Sequence, residues 1–401
     1  MTAEATDGRL DVAAAARRLA ERLPDRLAPL ATVAYNYRWS WDPDGPDVFA
    51  SIDPVRWTAA RRNPVRLLHE CPAEVLQAAA ANDDLVARAG ALAAAIAHDV
   101  AEAPSVGEGD HPVVFLCAEF AVHSSLPIYA GGLGVLAGDI LKEASDRRVP
   151  FVGVGLLYRQ GYFHQRVDAS GRQHEYWAEL DPGRIPAALV TTDSGEPLTI
   201  SVRLRGRDIT VQVWRVEVGR VPLFLLDADR EENPATDRWI TSRLYVGDRG
   251  VRLAQYGLLG LGAIRALRAM GIEPRLIHLN EGHAALAALE LAAGGSAGAG
   301  WEAFEHALHR ARDRTVFTTH TPIPAGNETY APEEIEQAFD AVPGQLGIDP
   351  DTFRRLGRVR PEDEDEWFGL TPLGLRVSRS ANGVSRRHGH VARSMWRHLY
   401  E

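Results

Sequence analysis

Cysteine and methionine are scarce in this sequence, and lysine is almost absent. The 401 residues include 2 cysteines and 3 methionines. Cys71 and Cys117 are too few and too far apart for a disulfide framework or a thiolate metal site, so the sequence predicts no bound metal. Lys142 is the only lysine, and almost all of the positive charge comes from arginine. Any reaction that needs a lysine amine therefore has one candidate residue.

Long apolar segments and basic clusters are also missing. The longest apolar runs, such as Phe151–Leu157, are too short to cross a bilayer, and Met1–Leu10 is polar, unlike a signal peptide. The formal net charge of −10 argues against nucleic acid or an anionic membrane as the main partner. The 45% hydrophobic and 24% charged residues are typical of a globular protein. We therefore expect a soluble, cytoplasmic protein with no nucleic-acid or membrane partner.

The first part of the chain is rich in alanine, leucine and arginine and has a helical periodicity. Apolar residues recur at helical spacing in Val12–Leu23 and again in Val75–Ile96. This pattern predicts a small helical domain over residues 1–105, with Ala103–His111 as the linker that follows it. The aromatic stretch Tyr35–Pro43 lies between the two helical segments. We interpret its side chains as core packing, with stacking against a sugar as the alternative.

From Pro112 onwards, short apolar runs alternate with amphipathic segments. Val113–Leu116 and Phe151–Tyr158 predict buried strands, and Leu133–Arg147 between them predicts a helix with one apolar face. Such a βαβ unit builds a mostly parallel sheet with helices on both faces, so the predicted fold class from here on is α/β. Further predicted elements are an antiparallel meander over residues 197–226, a helix over Asp248–Met270 ended by Gly271, strands at Arg275–Leu279 and Thr315–Thr319, an acidic loop at Glu362–Glu366, and helical structure in the last thirty residues.

A glycine-rich loop, Tyr129–Gly134, stands directly before the first helix of this lobe. Glycine lets backbone N–H groups approach an anion closely, and the start of a helix adds a favourable dipole. The loop therefore suits a phosphate, with an ordinary tight turn as the alternative. It matches neither the dinucleotide-binding fingerprint nor the Walker pattern.

Two further loops carry histidines after predicted strands. In His278–His283, polar side chains can hydrogen-bond sugar hydroxyls, although Asn280 or Glu281 can equally be an N-cap. In the next loop, two prolines fix the chain immediately after His320; a buried histidine satisfied by the backbone is the alternative. Ligands bind beyond the carboxyl ends of strands in open α/β sheets. Together the three loops predict one sugar- and phosphate-binding crevice.

At these residues the sequence strongly resembles the α-glucan (glycogen/maltodextrin) phosphorylases. Residues 30–100 resemble the extra N-terminal domain of one bacterial branch of that family. The matching motifs are Asn63–Leu68, Cys117–Phe120, Ser125–Gly134, Gly155–Phe163, Leu244–Asp248, Arg252–Gln255, Asn280–His283, His320–Thr321, Ala381–Val384 and His388–Gly389.

The resemblance implies that residues 106–401 form one Rossmann-like lobe of a two-lobed GT-B glycosyltransferase, preceded by a small helical domain. It also implies reversible phosphorolysis of a terminal α-1,4-linked glucose, which releases glucose 1-phosphate with retention of configuration. The family binds pyridoxal phosphate as a Schiff base on a lysine, and the cofactor phosphate serves as proton shuttle.

By position, the resemblance also assigns site residues. The loop of Gly131, Gly132, Leu133 and Gly134 would lie against the phosphates. His320 would be the catalytic residue, contacting the glucose and stabilising an oxocarbenium-like transition state through its carbonyl. The remaining assignments to substrate binding are Glu119 and Asn280, together with Glu281 and His283 on the glucan side.

Some positions depart from the family pattern. Val246 stands where glycine is usual, and Tyr256 and His390 stand where glutamate is usual. The larger departure concerns the cofactor lysine, which the family carries in its second lobe. Lys142 lies in a first-lobe helix and does not match it, so we expect the second lobe to be missing, no covalent pyridoxal phosphate on this chain, and no activity from the chain alone.

The resemblance implies α-1,4-glucan and inorganic phosphate or glucose 1-phosphate as ligands, and a C-terminal lobe or a second copy of the chain as a possible protein partner. We expect the exposed lobe face to be apolar and to cause self-association. Two alternatives stay open from the sequence: a non-catalytic glucan-binding or regulatory module, and a nucleotide-sugar GT-B glucan synthase, which also uses a Gly-Gly-Leu-Gly loop.

Overall fold

Helices make up the regular structure of residues 11–102. The structure is a computed structural model that describes residues 11–102, 111–294 and 301–400, so most of the predicted linker Ala103–His111 lies outside the described residues. The helices of this N-terminal region are α1 Val12–Ala20, α2 Pro29–Ala34, α3 Gly45–Ala50, α4 Pro54–Ala59, α5 Pro64–Glu70, α6 Ala73–Ala80 and α7 Asp83–Ala101, with 3₁₀ turns at Asp25–Leu27 and Tyr37–Trp41.

The helical periodicity predicted over Val75–Ile96 is divided between two helices in the structure. Helix α6 ends at Ala80, and the side chain of Asn82 accepts a hydrogen bond from the backbone N–H of Leu85. This N-cap starts α7 and satisfies an otherwise orphan amide. The helical spacing of apolar residues does not reveal the break, because both helices have an apolar face.

The aromatic stretch belongs to the core, as predicted. Tyr37 and Trp39 are fully buried, and the Trp39 ring packs edge-on against Phe49 at 5.3 Å. The same stretch joins the N-terminal helices to the rest of the protein, since the Tyr37 hydroxyl hydrogen-bonds the Ser125 hydroxyl at 2.9 Å. These two buried rings are therefore not accessible for stacking against a sugar.

A nine-stranded sheet forms the second part of the protein. Its order is β13-β10-β9-β1-β2-β8-β7-β5, with β6 paired to β7. The six strands from β13 to β8 pair in parallel, and the β6–β7–β8 meander predicted from the alternating residues joins the same sheet in antiparallel pairs. The strands are β1 Val113–Leu116, β2 Phe151–Leu156, β3 His164–Val167, β4 Gln173–Tyr176, β5 Ala188–Leu189, β6 Thr199–Leu204, β7 Arg207–Val218, β8 Val221–Asp227, β9 Leu276–Asn280, β10 Thr315–Thr319, β11 Thr329–Tyr330, β12 Phe368–Gly369 and β13 Ser380–Gly383.

The strand order reverses beside β1. From β1 the chain adds β2 and then β8 on one side, and it returns to add β9 and β10 on the other. Because the connections on the two sides diverge there, a crevice opens at the carboxyl ends of β1 and β9. The predicted Rossmann-like arrangement is confirmed, and its reversal point is where ligands bind in such sheets.

Helices flank the sheet. The predicted helix over Asp248–Met270 is confirmed, with a π-helical turn at Leu258–Gly262 and Gly271 at φ 70° beyond its end. The helices of this part are α8 Gly132–Asp146, α9 Ala235–Arg238, α10 Arg249–Gly257, α11 Ala263–Ala269, α12 Leu286–Ala293, α13 Trp301–Asp313, α14 Pro332–Ala338, α15 Val342–Leu346, α16 Pro350–Leu356, α17 Leu370–Arg376 and α18 Arg386–Met395, with 3₁₀ turns at Pro182–Arg184, Trp239–Thr241, Gly282–Ala284, Pro324–Gly326 and Arg397–Leu399.

The last thirty residues are not helical throughout. Strand β13 lies between α17 and α18 and pairs in parallel with β10, Phe317 opposite Ala381. Four residues at the sheet edge carry too little alternation for the sequence to indicate a strand, and only pairing with β10 makes them one. Among the described residues, no helix combines the length and the apolar character needed to cross a membrane.

Asp227, at the end of β8, is the most completely buried carboxylate of the sheet and anchors several neighbours. It is fully buried and accepts hydrogen bonds from Arg159 at 2.8 Å and from the Trp214 indole at 3.1 Å. Burial would raise the pKa of the Asp227 carboxyl, but the Arg159 charge and the hydrogen bonds outweigh it and hold the pKa below its usual value. The carboxylate therefore stays charged and paired.

Replacing Asp227 with alanine should lower the free energy of unfolding by about 3–5 kcal/mol, because the buried Gln212 and Trp214 donors lose their acceptor and Arg159 keeps only its longer ion pair, at 3.4 Å, to Asp229. The loss is measured by urea denaturation at pH 7. Since the folded pKa is depressed, this stabilisation is complete above the unfolded value of about 3.9 and disappears as the pH falls through the folded value. Asp208→Ala removes an exposed ion pair with Arg203 and should cost about 0–1 kcal/mol. Equal losses in the two variants would contradict this account.

Candidate functional site

The three predicted loops follow strands that are neighbours in the sheet. The first begins after β1, the second is at the end of β9, and the third begins after β10. Leu133, Glu281, His283 and Thr321 line one cavity of about 170 Å³, so residues of all three loops meet there. The cavity lies at the carboxyl edge where the strand order reverses. The convergence predicted from the sequence is therefore seen in the structure.

The glycine loop starts helix α8 without a side-chain cap. Gly131 is the N-cap residue and has an extended backbone, φ −151° and ψ −149°. The amides of Ala130 and Gly131 donate to Glu119 Oε2 at 2.5 and 3.2 Å. Glu119 thus engages the amides of Ala130 and Gly131, whereas those of Gly132 to Gly134 belong to the first helical turn, where backbone N–H groups have no intrahelical partner.

Glu119 lies beneath the loop. Its side chain is 2% exposed, and its second oxygen accepts a hydrogen bond from the Tyr245 hydroxyl at 2.6 Å. Burial and the neighbouring Glu119 carboxylate raise the pKa of Tyr245, so the phenol stays protonated and donates. Glu119 thus ties the loop to Tyr245, and both of its oxygens are engaged by the protein.

Glu281 adopts a backbone conformation that is rare for a residue with a side chain, φ 71° and ψ 172°. Its carboxylate accepts hydrogen bonds from the backbone amides of His320 and, at 2.8 Å, Thr321. The Thr319 hydroxyl donates to the same oxygen at 3.3 Å. Glu281 is 3% exposed, and the hydrogen bonds of its buried carboxylate hold the loop that follows β10 in place.

His320 is oriented by its neighbour on β9. The imidazole Nε2 lies 2.6 Å from the Oδ1 atom of Asn280, which is fully buried. Burial lowers the pKa of His320, partly opposed by the charge of Glu281, so the ring is neutral near pH 7. The alternative of a histidine satisfied by the backbone is excluded, because the partner of its ring is a side chain.

His283 stacks on Tyr256, with ring centroids 4.9 Å apart and planes inclined by 17°. Burial lowers the pKa of His283 as well, against the opposing charge of Glu281. Arg252 and Glu328 form an ion pair on the opposite part of the cavity wall. Within the described part of the chain, His283 Nδ1 and Arg252 Nε are buried without a hydrogen-bond partner. Polar atoms of this kind suit a cavity that receives water or a polar ligand.

Sequence reasoning did not single out Tyr245, Arg252 or Glu328. Tyr245 and Arg252 lie inside motifs that match the α-glucan phosphorylases, and their polar and charged side chains are the signal that could have identified them as site residues. Glu328 is one acidic residue in a loop, and nothing in the sequence brings it to Arg252. Of the unusual positions, Tyr256 lines the cavity, while His390 is exposed and bonds Arg393 at 2.9 Å.

A covalently bound pyridoxal phosphate does not fit the residues present. Lys142 lies ten residues beyond the start of α8, about 15 Å along the helix from the glycine loop. Its ammonium stands 5.7 Å from the Trp41 ring, where the N-terminal helices pack on the sheet, and burial lowers its pKa. The one lysine therefore does not supply an amine at the cavity.

A mostly parallel sheet that is flanked by helices and has a crevice at its reversal point is a Rossmann-like lobe of the doubly wound α/β class. Residues 23–126 also match a family described as a protein of unknown function (DUF3417).

The chain is similar to curated maltodextrin and glycogen phosphorylases. The chain is 38% identical over 389 residues to the maltodextrin phosphorylase of Thermococcus litoralis, covering 94% of this chain and 45% of that protein. It is 39% identical over 401 residues to the glycogen phosphorylase of Mycobacterium tuberculosis, covering 94% and 46%, and 36% identical over 372 residues to that of Aquifex aeolicus, covering 92% and 53%. The predicted resemblance to the α-glucan phosphorylases is confirmed. The chain spans about half the length of the curated relatives it matches.

Replacing Gly134 with alanine should disturb the loop, because the new Cβ would stand 2.7 Å from Glu119 Oε2 and 2.8 Å from Tyr129 Cβ. We expect the free energy of unfolding to fall by about 1–3 kcal/mol, as for other overpacked sites. The matched control is Gly132→Ala, whose Cβ meets nothing within 4 Å. Thermal unfolding measures the stability of both variants. A Gly134→Ala protein as stable as Gly132→Ala would contradict the contact between the loop and Glu119.

Proposed function

We propose that this chain supplies the N-terminal lobe of an α-1,4-glucan phosphorylase. In the reaction, inorganic phosphate takes the terminal glucose of a glucan, giving glucose 1-phosphate and a glucan one unit shorter. The observation that supports this most is the cavity in which the glycine loop, the Asn280–His283 loop and the His320 loop meet. The names of the relatives point to the same chemistry.

Each group at the site has a part in the proposed function. The first-turn amides of α8, from Gly132 to Gly134, donate to the phosphate, where the helix dipole also favours negative charge. His320 contacts the glucose, and its backbone carbonyl stabilises positive charge that develops on the sugar. Its neutral ring needs no counter-ion.

In this proposal the carboxylates of Glu119 and Glu281 act by positioning other groups of the site. Glu119 sets the glycine loop and Glu281 sets the His320 turn, through the hydrogen bonds to backbone amides described above. His283 and Asn280 complete the sugar side. A fixed arrangement of this kind gives catalysis through preorganised dipoles.

A second lobe is the partner that this arrangement favours. The exposed apolar residues Val135, in the first turn of α8, and Ile323 and Val384, in the turns after β10 and β13, lie near the carboxyl edge of the sheet. With Lys142 at the other end of α8, the amine of the cofactor has to come from outside these residues. The division predicted from the sequence, a helical domain over residues 1–105 and the lobe over residues 106–401, stays part of this proposal. A non-catalytic glucan-binding role for the chain by itself is the second candidate, favoured by the position of Lys142.

The chain should bind maltopentaose and inorganic phosphate in titration calorimetry, and it should release no glucose 1-phosphate from maltodextrin when pyridoxal phosphate is added. His320→Ala should weaken maltopentaose binding about 10-fold or more, as for loss of a buried hydrogen bond. His98→Ala, which removes an exposed histidine of α7, should bind like the unmodified chain. Because the pKa of His320 is lowered, binding should be constant from pH 8 down to about 6.5 and weaken only below the depressed value.

Release of glucose 1-phosphate by the chain alone would contradict the need for a second lobe. Binding without turnover, with activity appearing when the C-terminal half of a phosphorylase relative is added, would support the phosphorylase assignment. Binding without turnover under every condition would support the glucan-binding module instead.

Self-association is expected from the same apolar edge. The chain at high concentration should form dimers or larger species in light scattering, and Ile323→Asp should reduce them. Ile323 is 57% exposed, and Val55→Asp changes a residue that is 79% exposed on helix α4 of the N-terminal region, so it should leave association unchanged. A monodisperse monomer of the unmodified chain would contradict this expectation.

A further inference from the structure

Three polar side chains follow one another across three neighbouring strands at the reversal point of the sheet. Cys117 comes directly after β1, Asn280 ends β9, and His320 comes directly after β10. The Asn280 amide nitrogen lies 3.1 Å from the Cys117 sulfur, and its oxygen lies 2.6 Å from His320 Nε2. Cys117 and Asn280 are fully buried. The side chain of His320 is thus linked to a thiol two strands away.

The thiol of Cys117 sets the direction in which these three side chains donate their hydrogen bonds. The Cys117 S–H group donates to the Glu119 carbonyl at 3.0 Å. Burial raises the pKa of Cys117 to about 12, so the proton stays on the sulfur at neutral pH. A thiol has one proton to donate, and it is already used. Towards Asn280 the sulfur can therefore only accept.

The orientation of Asn280 follows from that restriction. Its NH₂ group must face the sulfur, which leaves Oδ1 facing His320. An amide oxygen accepts only, so His320 Nε2 must carry the ring proton. In a neutral imidazole the other nitrogen, Nδ1, is then an acceptor without a proton. The opposite orientation of the amide would turn Nε2 into the acceptor and Nδ1 into the donor.

We propose that Cys117 is a positioning residue that fixes the tautomer of His320 through Asn280. The fixed tautomer presents Nδ1 as a hydrogen-bond acceptor to a ligand that donates, such as a sugar hydroxyl. Thiol hydrogen bonds are weak, but here they decide between two orientations of one amide, and a difference of about 1.4 kcal/mol already gives a 10-fold preference. The tautomer is a property of the ligand-free chain, and only its use towards a sugar rests on the proposed function.

Long-range ¹H–¹⁵N NMR of the histidine side chains measures the tautomer directly, on the chain without ligand. The His320 signals are assigned by their absence from the spectrum of His320→Gln. We expect the unmodified chain to show the Nε2–H tautomer. Cys117→Ala removes the acceptor for the amide, so the Nδ1–H tautomer should appear. Cys117→Ser keeps one donor and its acceptors, and should restore the Nε2–H tautomer.

Cys71→Ala is the matched control, because Cys71 is the other cysteine of the chain, buried among the N-terminal helices. It should leave the His320 spectrum unchanged. An Nδ1–H tautomer in the unmodified chain would overturn the proposal, even if Cys117→Ala failed to fold. A folded Cys117→Ala protein that keeps the Nε2–H tautomer would overturn it as well. Failure to bind glucan would count against the proposed function and leave the tautomer result intact.

Discussion

Parallel pairing of β1 with both β2 and β9 is the constraint on which the site depends. Strand β1 is the first of the sheet in the sequence, yet it lies in the interior of the sheet because later strands add on both sides of it. The helices that follow β1 and β9 therefore leave in different directions and open the crevice. Cys117 and Asn280 touch across this opening only because Leu116 pairs with Leu279 in register.

Buried carboxylates organise the edge of this sheet. Glu119, Asp227 and Glu281 are each 3% exposed or less, and each accepts from backbone amides, with side-chain donors completing the set. Charge-assisted bonds to backbone are strong, so each carboxylate holds a connecting segment in place. At the crevice, Glu119 does this for the glycine loop and Glu281 for the turn at His320.

Much of this could be predicted from the sequence. Strands β1, β2, β9 and β10 are short apolar runs, which signal burial on both faces, and the glycine and proline punctuation placed the loops beyond them. The predicted meander and the long helix before Gly271 were confirmed for the same reason. The break at Asn82 and strand β13 could not be predicted, since a cap and an edge pairing depend on contacts outside the local pattern. The sequence marked Glu119 and Glu281 as polar groups at the site, but it could not indicate that their oxygens face the backbone, because that depends on folded geometry.

The conformation of Glu281 couples a backbone cost to a set of hydrogen bonds. With φ at 71° and ψ at 172°, this position lies in a region that glycine alone enters at little cost, and any other residue costs about 1–3 kcal/mol there. Glycine would relieve that strain, but it would also leave the amides of His320 and Thr321 without their acceptor, which costs about 1–3 kcal/mol for each donor that stays buried. Thermal stability and the shape of the site therefore favour the same residue here, and the strained backbone is the condition for both.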